Sequence, residues 1–334
     1  MDTLTHIALG GCIGEAMIGN KVGKKGMLIG AIAQSLPDID FIASFFTSTS
    51  HNLLAHRGFT HSFLFAVLIT PLIALLAQRW GRPFNVSFTR WMTFFAVQSF
   101  VHVFIDAFNN YGVGWFEPFS HLRISFNAIY VVDPFFSIWP LIAFIALLIV
   151  RSISHNRNKI WKAGLFMSAF YLCYCLFNKW QINNKVEDTL KQQSIAAKRY
   201  FTSPAPLQSW LWYIVAESDS GFNVGYRSVF DKTHPITFTF FPKNEQLIGE
   251  QTPEIKRLKR FSQGYYTLEN YGDTLVFNDL RFGQIIGWQS PGEKFAFHYY
   301  LGDSFNNVLV VQRGRFDKWN EDVLERFIQR VKGE

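Results

Sequence analysis

Charged side chains are scarce in this chain of 334 residues, because Asp, Glu, Lys and Arg make up only 17% of it. Soluble domains usually carry about 25% charged residues. Hydrophobic residues reach 49%, and 36 residues are phenylalanine. The shortage of charge therefore argues against a wholly soluble protein and favours a chain that lies partly in lipid.

Cysteine is also scarce, with three residues at Cys12, Cys173 and Cys175. An odd number argues against a disulfide framework. The N-terminus lacks the basic region of a cleavable signal peptide, and Glu15 interrupts its apolar segment. We therefore expect neither a disulfide framework nor a cleaved signal peptide.

Apolar runs dominate the first half of the chain. Four of them are typical of membrane-spanning helices: 62–78, 91–106, 134–150 and 163–178. Two weaker segments, roughly 4–19 and 26–41, are rich in Gly and Ala, which let helices approach closely in lipid. The pattern predicts a mainly α membrane bundle of about six helices, with four clear spans, over residues 1–180.

The pattern changes after about residue 180. Residues 181–200 are polar and predict an exposed helix. Seven short alternating or β-branched runs follow, at 210–218, 221–230, 237–242, 266–270, 273–283, 294–301 and 308–314. Gly, Pro, Asn and Asp separate them, which is typical of antiparallel strands. Residues 319–334 have the spacing of an amphipathic helix. We expect an α+β, mostly antiparallel β, soluble domain over 181–334.

The chain has a net charge of +7, and within residues 1–180 its basic residues concentrate in three loops between the predicted helices. They are Lys21, Lys24 and Lys25; Arg79, Arg82 and Arg90; and Arg151, Arg157, Lys159 and Lys162. If each of six helices crosses once, these loops share one face, which the positive-inside rule assigns to the cytoplasm. We therefore expect a multi-pass protein of a bacterial inner membrane whose C-terminal domain faces the periplasm. Short orienting loops of this kind do not predict nucleic-acid binding.

Seven ionisable side chains fall at the opposite, outward ends of the predicted helices: His6, Asp38, Asp40, His56, His61, His102 and Asp106. His102 and Asp106 are four residues apart, so a helix presents them from one side. Asp38 and Asp40 flank one residue, and an extended segment would point them the same way. Imidazole and carboxylate ligands together suit zinc, and also manganese or iron. Seven candidates predict two or more divalent ions.

The same cluster suggests a chemistry. Two-metal sites activate water and stabilise the attacking and leaving oxygens in displacements at phosphorus. Arg57 would suit a phosphate as a planar, permanently charged fork. Asp38 or Asp40 could serve as the base where it is not committed to metal. Asp133 has a different expected role, because an Asp before Pro is typical of a helix N-cap, and Arg281 is expected to form a strand-end salt bridge.

Four motifs, THIALGG, PDID, HRGFTHS and HVFIDAFNNYG, resemble the family of membrane-bound metal-dependent hydrolases of the YdjM type. That family is also described as LexA-binding, inner-membrane-associated hydrolases. The resemblance covers roughly residues 1–180, and HRGFTHS together with the His102–Asp106 spacing is its specific part. It implies a helical inner-membrane protein whose metal site uses the seven residues above. The family is distantly similar to zinc-dependent phospholipases C.

Two functions remain open at this point. The first is an integral-membrane hydrolase that acts on a phosphoester, such as a phospholipid or a lipid-linked head group. The second is a non-catalytic interaction or sensing protein with a structural metal site. An open coordination position facing a cavity would favour the enzyme, and a saturated site would favour the second function. Ion transport ranks last because the runs 62–78 and 134–150 carry almost no polar residues. Neither the substrate nor the oligomeric state follows from the sequence.

Overall fold

The computed structural model describes residues 1–232, 234–301 and 318–334. Contacts among these residues divide the chain into two units. The first unit comprises Met1–Phe45, Ala55–Phe126 and Val131–Tyr174, and the second comprises Phe46–Leu54, Asn127–Tyr130 and Cys175–Glu334. Segments of the two units alternate along the chain, and the predicted boundary at residue 180 stays a prediction.

Seven α-helices lie between residues 3 and 192: α1 (Thr3–Val22), α2 (Lys25–Gln34), α3 (Thr49–Ala55), α4 (Phe63–Trp80), α5 (Phe88–Asp106), α6 (Pro134–Ile149) and α7 (Asn156–Gln192). Short 3₁₀ segments lie between them at Pro37–Phe45, Phe59–His61 and Arg82–Phe84. Six of the α-helices occupy the positions predicted for the bundle. The seven residues of α3 include only two leucines, so the apolar pattern does not predict this helix.

The α1–α2 pair packs backbone to backbone through glycine. A Cβ added at Gly14 would overlap the backbone of Gly26, and one added at Gly30 would overlap the backbone of Gly10. Small residues permit such an approach, as the sequence predicts. The two helices run antiparallel, so the start of α1 lies beside the end of α2.

Fewer helices can span a membrane than the sequence predicts. Among the described residues, α4 and α7 are long and apolar enough, and a third span results if α2 and Pro37–Phe45, bent by 56°, form one broken span. The prediction of four clear spans is therefore wrong in number. The 16 residues of α6 reach about 24 Å, less than the roughly 30 Å of a hydrocarbon core. α5 buries polar side chains, including Gln98, His102 and Asp106, inside the first unit.

The second unit contains two antiparallel sheets. One has the order β1 (Arg199–Pro204), β2 (Leu211–Glu217), β3 (Gly221–Ser228), β4 (Thr239–Pro242), and the other has the order β5 (Tyr266–Tyr271), β6 (Thr274–Gln284), β7 (Phe295–Tyr300). Six predicted strand runs thus form β2 to β7. The run 308–314 lies outside the described residues, and β1 begins where the exposed helix was expected to end.

Strand β2 is buried on both faces. Successive side chains of a strand point to opposite sides, and the two sides of β2 pack against different elements. Tyr213 shares a core cluster with Leu280 of the second sheet. Trp212 shares another cluster with Val186 of α7. The predicted exposed helix at 181–200 is therefore wrong on one face, since the end of α7 covers the first sheet with apolar side chains.

Two amphipathic helices, α8 (Pro253–Phe261) and α9 (Glu321–Val331), belong to the second unit. The side chain of Asn320 caps α9 by accepting a hydrogen bond from the Val323 amide at 2.9 Å, which confirms the predicted closing helix. α8 was not predicted, because its nine residues carry too short an apolar pattern to distinguish a helix from a loop.

Candidate metal centre

Polar side chains from four segments meet within the first unit. His6 lies in α1, Asp38 and Asp40 lie in the 3₁₀ segment after α2, His61 ends the segment Phe59–His61, and His102 and Asp106 lie in the last turns of α5. Proline disfavours a helical conformation in the residue before it, so Pro37 helps to end α2. Ser62 caps α4 by accepting a hydrogen bond from the Phe65 amide at 3.0 Å.

Four side chains, Asp38, His61, His102 and Asp106, form what we call the metal group, in which one ligand atom from each lies within 4.8 Å of the others. His61 Nε2 lies 3.1 Å from His102 Nε2, 3.5 Å from Asp38 Oδ1 and 3.4 Å from Asp106 Oδ2. His102 Nε2 is 3.6 Å from each of these two oxygens. Ligand atoms about 2.0–2.2 Å from a tetrahedral ion lie about 3.3–3.6 Å from one another. The five distances above are close to this range, so the metal group could hold one such ion.

The second ring nitrogen of each histidine in the metal group also has a partner. His61 Nδ1 lies 3.3 Å from Asp40 Oδ2, and His102 Nδ1 contacts the backbone carbonyl of Gln34. That carbonyl belongs to the last turn of α2, where carbonyl groups lack a helical partner. A proton on each Nδ1 leaves the Nε2 lone pairs directed at the centre, as is usual for histidines that bind metal.

The other three predicted ligands surround the metal group. His6 Nε2 is 3.3 Å from Asp106 Oδ1, and its ring stacks on His102 with 3.9 Å between the centroids. His56 Nδ1 is 3.0 Å from Asp40 Oδ1. Asp40 and His6 thus each contact a member of the metal group, and His56 contacts Asp40. A direct metal contact from any of the three stays a prediction.

Arg57 is buried, with only 3% of its surface exposed. Its Nε lies 3.1 Å from Asp106 Oδ2, and a terminal nitrogen donates to Asn109 Oδ1 at 2.7 Å. Its φ of 57° is unusual for a residue other than glycine. The backbone amide donates to Asp40 Oδ2 at 2.8 Å, which helps to hold this conformation. The predicted contact between Arg57 and a phosphate stays a prediction.

Negative charge surrounds His61. Burial lowers the pKa of His61, but hydrogen bonds to Asp106, Asp38 and Asp40 outweigh burial and raise this pKa to about 10. Asp106 also pairs with the α-amino group of Met1. Carboxylates that favour a positive imidazolium in this way would also attract a divalent cation.

Asp133 and Arg281 have structural partners. Asp133 Oδ1 accepts hydrogen bonds from the Phe135 and Phe136 amides at 2.9 and 3.2 Å, which confirms its role as the N-cap of α6. Arg281 pairs with Asp279 of β6 at 2.6 Å, in agreement with the predicted salt bridge. Neither residue belongs to the metal group.

Gln34 is a contributor that the sequence reasoning missed. It acts through a backbone carbonyl, and side-chain patterns do not reveal such a role. Its own side chain is fully buried at the end of a helix whose residues between Lys25 and Gln34 are all apolar or glycine. A buried polar residue at such a position is a signal that would have marked it.

A cavity of about 680 Å³ adjoins the metal group. Asp38 and His56 are among the residues that line it. The side chain of Asp38 is 27% exposed, whereas those of His61, His102 and Asp106 are fully buried. Asp38 is therefore the member of the metal group that a molecule in the cavity would reach.

Comparison with known proteins adds a family relationship. Residues 1–182 match the family model described as YdjM inner membrane protein. The inner membrane protein YbcI of Escherichia coli (strain K12) is 32% identical over 122 residues, which cover 36% of this chain and 69% of YbcI. The uncharacterized protein YfhP of Bacillus subtilis (strain 168) is 32% identical over 146 residues, which cover 40% of this chain and 42% of YfhP. No solved structure matches significantly. The family match covers the whole metal group.

Proposed function

This chain belongs to the YdjM inner membrane protein family, and we propose that it is a metal-dependent hydrolase that cleaves a phosphoester at the membrane. A phospholipid or a lipid-linked head group is the proposed substrate. The observation that carries the proposal is the partly exposed carboxylate of Asp38, which belongs both to the metal group and to the wall of the cavity. A ligand residue beside a cavity supports a catalytic site, since structural sites are usually closed.

The proposed mechanism gives separate roles to the bound ion, to Asp38 or Asp40, and to Arg57. A divalent ion would polarise a phosphoryl oxygen and make a water molecule a better nucleophile at neutral pH. Asp38, at the cavity wall, would accept a proton from water, or Asp40 would do so while it orients His61. Arg57 balances the charge of Asp106 from 3.1 Å and, as the HRGFTHS motif suggests, would help to hold the phosphate.

Zinc is the proposed ion, and manganese and iron share the same ligand chemistry. We retain the proposal of two or more ions. Asp106 Oδ2 belongs to the metal group, while its Oδ1 faces His6 and also pairs with the α-amino group of Met1, which a second ion would displace. The Nδ1 atom of His6 is buried and has no hydrogen-bond partner among the described residues. These features support a second ion on the His6 side of Asp106.

We further propose that the metal group and the C-terminal β domain lie on the periplasmic side of the inner membrane. Lys21, Lys25 and Arg79 lie at the opposite ends of α1, α2 and α4 from the metal group, which supports this orientation. Arg157 does not count toward the positive-inside rule, because it forms a buried ion pair with Glu15 at 2.6 Å. A C-terminal reporter that is active only in the cytoplasm should stay silent, and a strong signal would reverse the proposed orientation.

A structural metal site in an interaction or sensing protein is the second candidate. It is favoured by the number of ligands, since the metal group offers four protein ligand atoms, the number that a closed structural site uses. This candidate predicts a bound metal without hydrolysis, so an activity measurement separates the two functions.

The test uses the purified full-length protein, reconstituted in phospholipid nanodiscs with zinc or manganese. Release of the head group should be observed. At saturating metal and equal metal content, Asp38→Asn should reduce kcat about 100-fold or more, the scale of a lost general base. Asp219→Asn is the matched control, because Asp219 is exposed and pairs only with Lys198 among the described ion pairs. A metal-loaded wild type that hydrolyses no phosphoester would instead support the structural site.

A further inference from the structure

The cavity beside Asp38 has a mostly apolar wall that also contains a carboxylate of the metal group. Its wall is formed largely by apolar side chains from α1, α2, the Pro37–Phe45 segment and the turn between the last two, including Ile7, Ile32, Leu36 and Phe41. Asp38 of the metal group lies in the same wall. An apolar compartment that meets a cation-binding group matches a molecule with one apolar part and one anionic part.

Apolar side chains also surround the cavity on the outside of the first unit. Ile32 and Phe41 are 72% and 58% exposed although both line the cavity. Along Pro37–Phe45, Asp40 is buried whereas Ile39 and Phe41 are exposed. An element with its polar side inward and its apolar side outward is stable where lipid lies outside it.

We propose that this cavity binds one acyl chain of a membrane phospholipid and brings the phosphate to the metal group sideways, from within the bilayer. The inference rests on the proposed function and names its substrate class, a long-chain lipid rather than a water-soluble phosphoester. A volume of about 680 Å³ lies within the range of about 300–1,000 Å³ for ligand sites. The acyl chain lies against Ile7, Leu36 and Phe41, with the head group at Asp38.

Two variants of α1 provide a matched test. Ile7→Trp adds bulk inside the cavity, whereas Leu4→Trp makes the same kind of change at a residue that is 52% exposed and does not line the cavity. With soluble phosphoesters that share one head group, kcat/KM of the wild type should rise at least tenfold from a butyl to an octyl chain. Burial of each added methylene can increase kcat/KM by at most about fourfold. Leu4→Trp should keep this increase and Ile7→Trp should abolish it. An equal increase in both variants, or no increase in the wild type, would overturn the proposal.

A binding experiment keeps this inference separate from hydrolysis. Metal-stripped, full-length protein is placed in nanodiscs of phosphatidylglycerol that carries a photoreactive group at the end of one acyl chain. Cross-links should concentrate in residues 1–7 and 31–41, persist in Leu4→Trp and disappear in Ile7→Trp. Labelling spread evenly over lipid-exposed α4, for example at Val67 and Leu68, with no enrichment at the cavity would overturn the inference even if hydrolysis is found. Enriched labelling without hydrolysis would retain lipid binding and remove the proposed catalysis.

Discussion

Asp40 Oδ2 lies 3.3 Å from Nδ1 of His61, while Nε2 of the same ring faces the metal group. Asp40 thus determines which nitrogen of His61 carries the proton and which is free to bind an ion. The same carboxylate accepts a hydrogen bond from the backbone amide of Arg57 and so also stabilises the HRGFTHS turn. One aspartate therefore links the shape of the turn to the ligand geometry.

Replacing Asp40 with Asn should weaken metal affinity about 10- to 100-fold, the usual effect of losing a partner that orients a ligand. Saturating metal should still fill the site, because the metal group itself is intact. Competition with a chelator measures the affinity, with Asp219→Asn as the control. An affinity equal to that of the wild type would show that Asp40 does not orient His61.

Replacing Asp133 with Ala should lower stability and leave metal content unchanged. The variant loses the N-cap of α6, which costs about 1–2 kcal/mol, and removes the acceptor of the Tyr171 hydroxyl at 3.1 Å. The thermal midpoint of the detergent-solubilised protein should fall, and Asp133→Asn, which can still cap, should recover much of the loss. A fall in bound metal would give Asp133 a role at the site instead.

Replacing Gly30 with Leu should separate α1 from α2, because a side chain there meets the backbone of Gly10. Overpacking of this kind costs about 1–3 kcal/mol, so the thermal midpoint and the folded yield should both fall. Gly249→Ala is the control, since a Cβ at Gly249 has no atom within 4 Å. Equal stability of the two variants would contradict the close packing of α1 and α2.

The pH dependence follows from His61. Its pKa is raised to about 10, above the unfolded value of about 6.5. In the metal-free protein its stabilising effect is therefore fully present below about pH 6.5 and is lost as the pH rises through about 10. Metal binding needs the neutral ring, so near pH 7.5 it should release about one proton from His61 and tighten as the pH rises. Calorimetry in two buffers with different ionisation enthalpies measures this release, and an uptake of protons would contradict it.

Much of the candidate site can be predicted from the spacing of residues along the chain. The error in the predicted directions of Asp38 and Asp40 comes from the local backbone conformation. His102 and Asp106 do share one side of α5, as spacing four predicts. Asp38 and Asp40 were expected to point the same way in an extended segment, but Pro37–Phe45 is a 3₁₀ helix. With three residues per turn, residues two apart diverge. Asp38 therefore faces the Nε2 side of His61 and Asp40 faces the Nδ1 side.

The fold shows a similar limit. Apolar runs located the six bundle helices, because burial in lipid and burial in protein both require apolar side chains. The same runs could not show which helices face lipid. Only Thr70 and Ala74 of α4 are buried, whereas nine residues of α5 are buried, and this difference depends on tertiary packing.

The most direct test of the central claim is the metal content of the purified full-length protein, measured by mass spectrometry of the elements. The wild type should carry at least one divalent ion per chain, and His102→Ala should carry less than about a tenth of that amount, because it removes one of four ligands. His121→Ala, at an exposed histidine outside the metal group, should match the wild type. Equal metal content in a folded His102→Ala, or a wild type that binds no zinc, manganese or iron, would contradict the account.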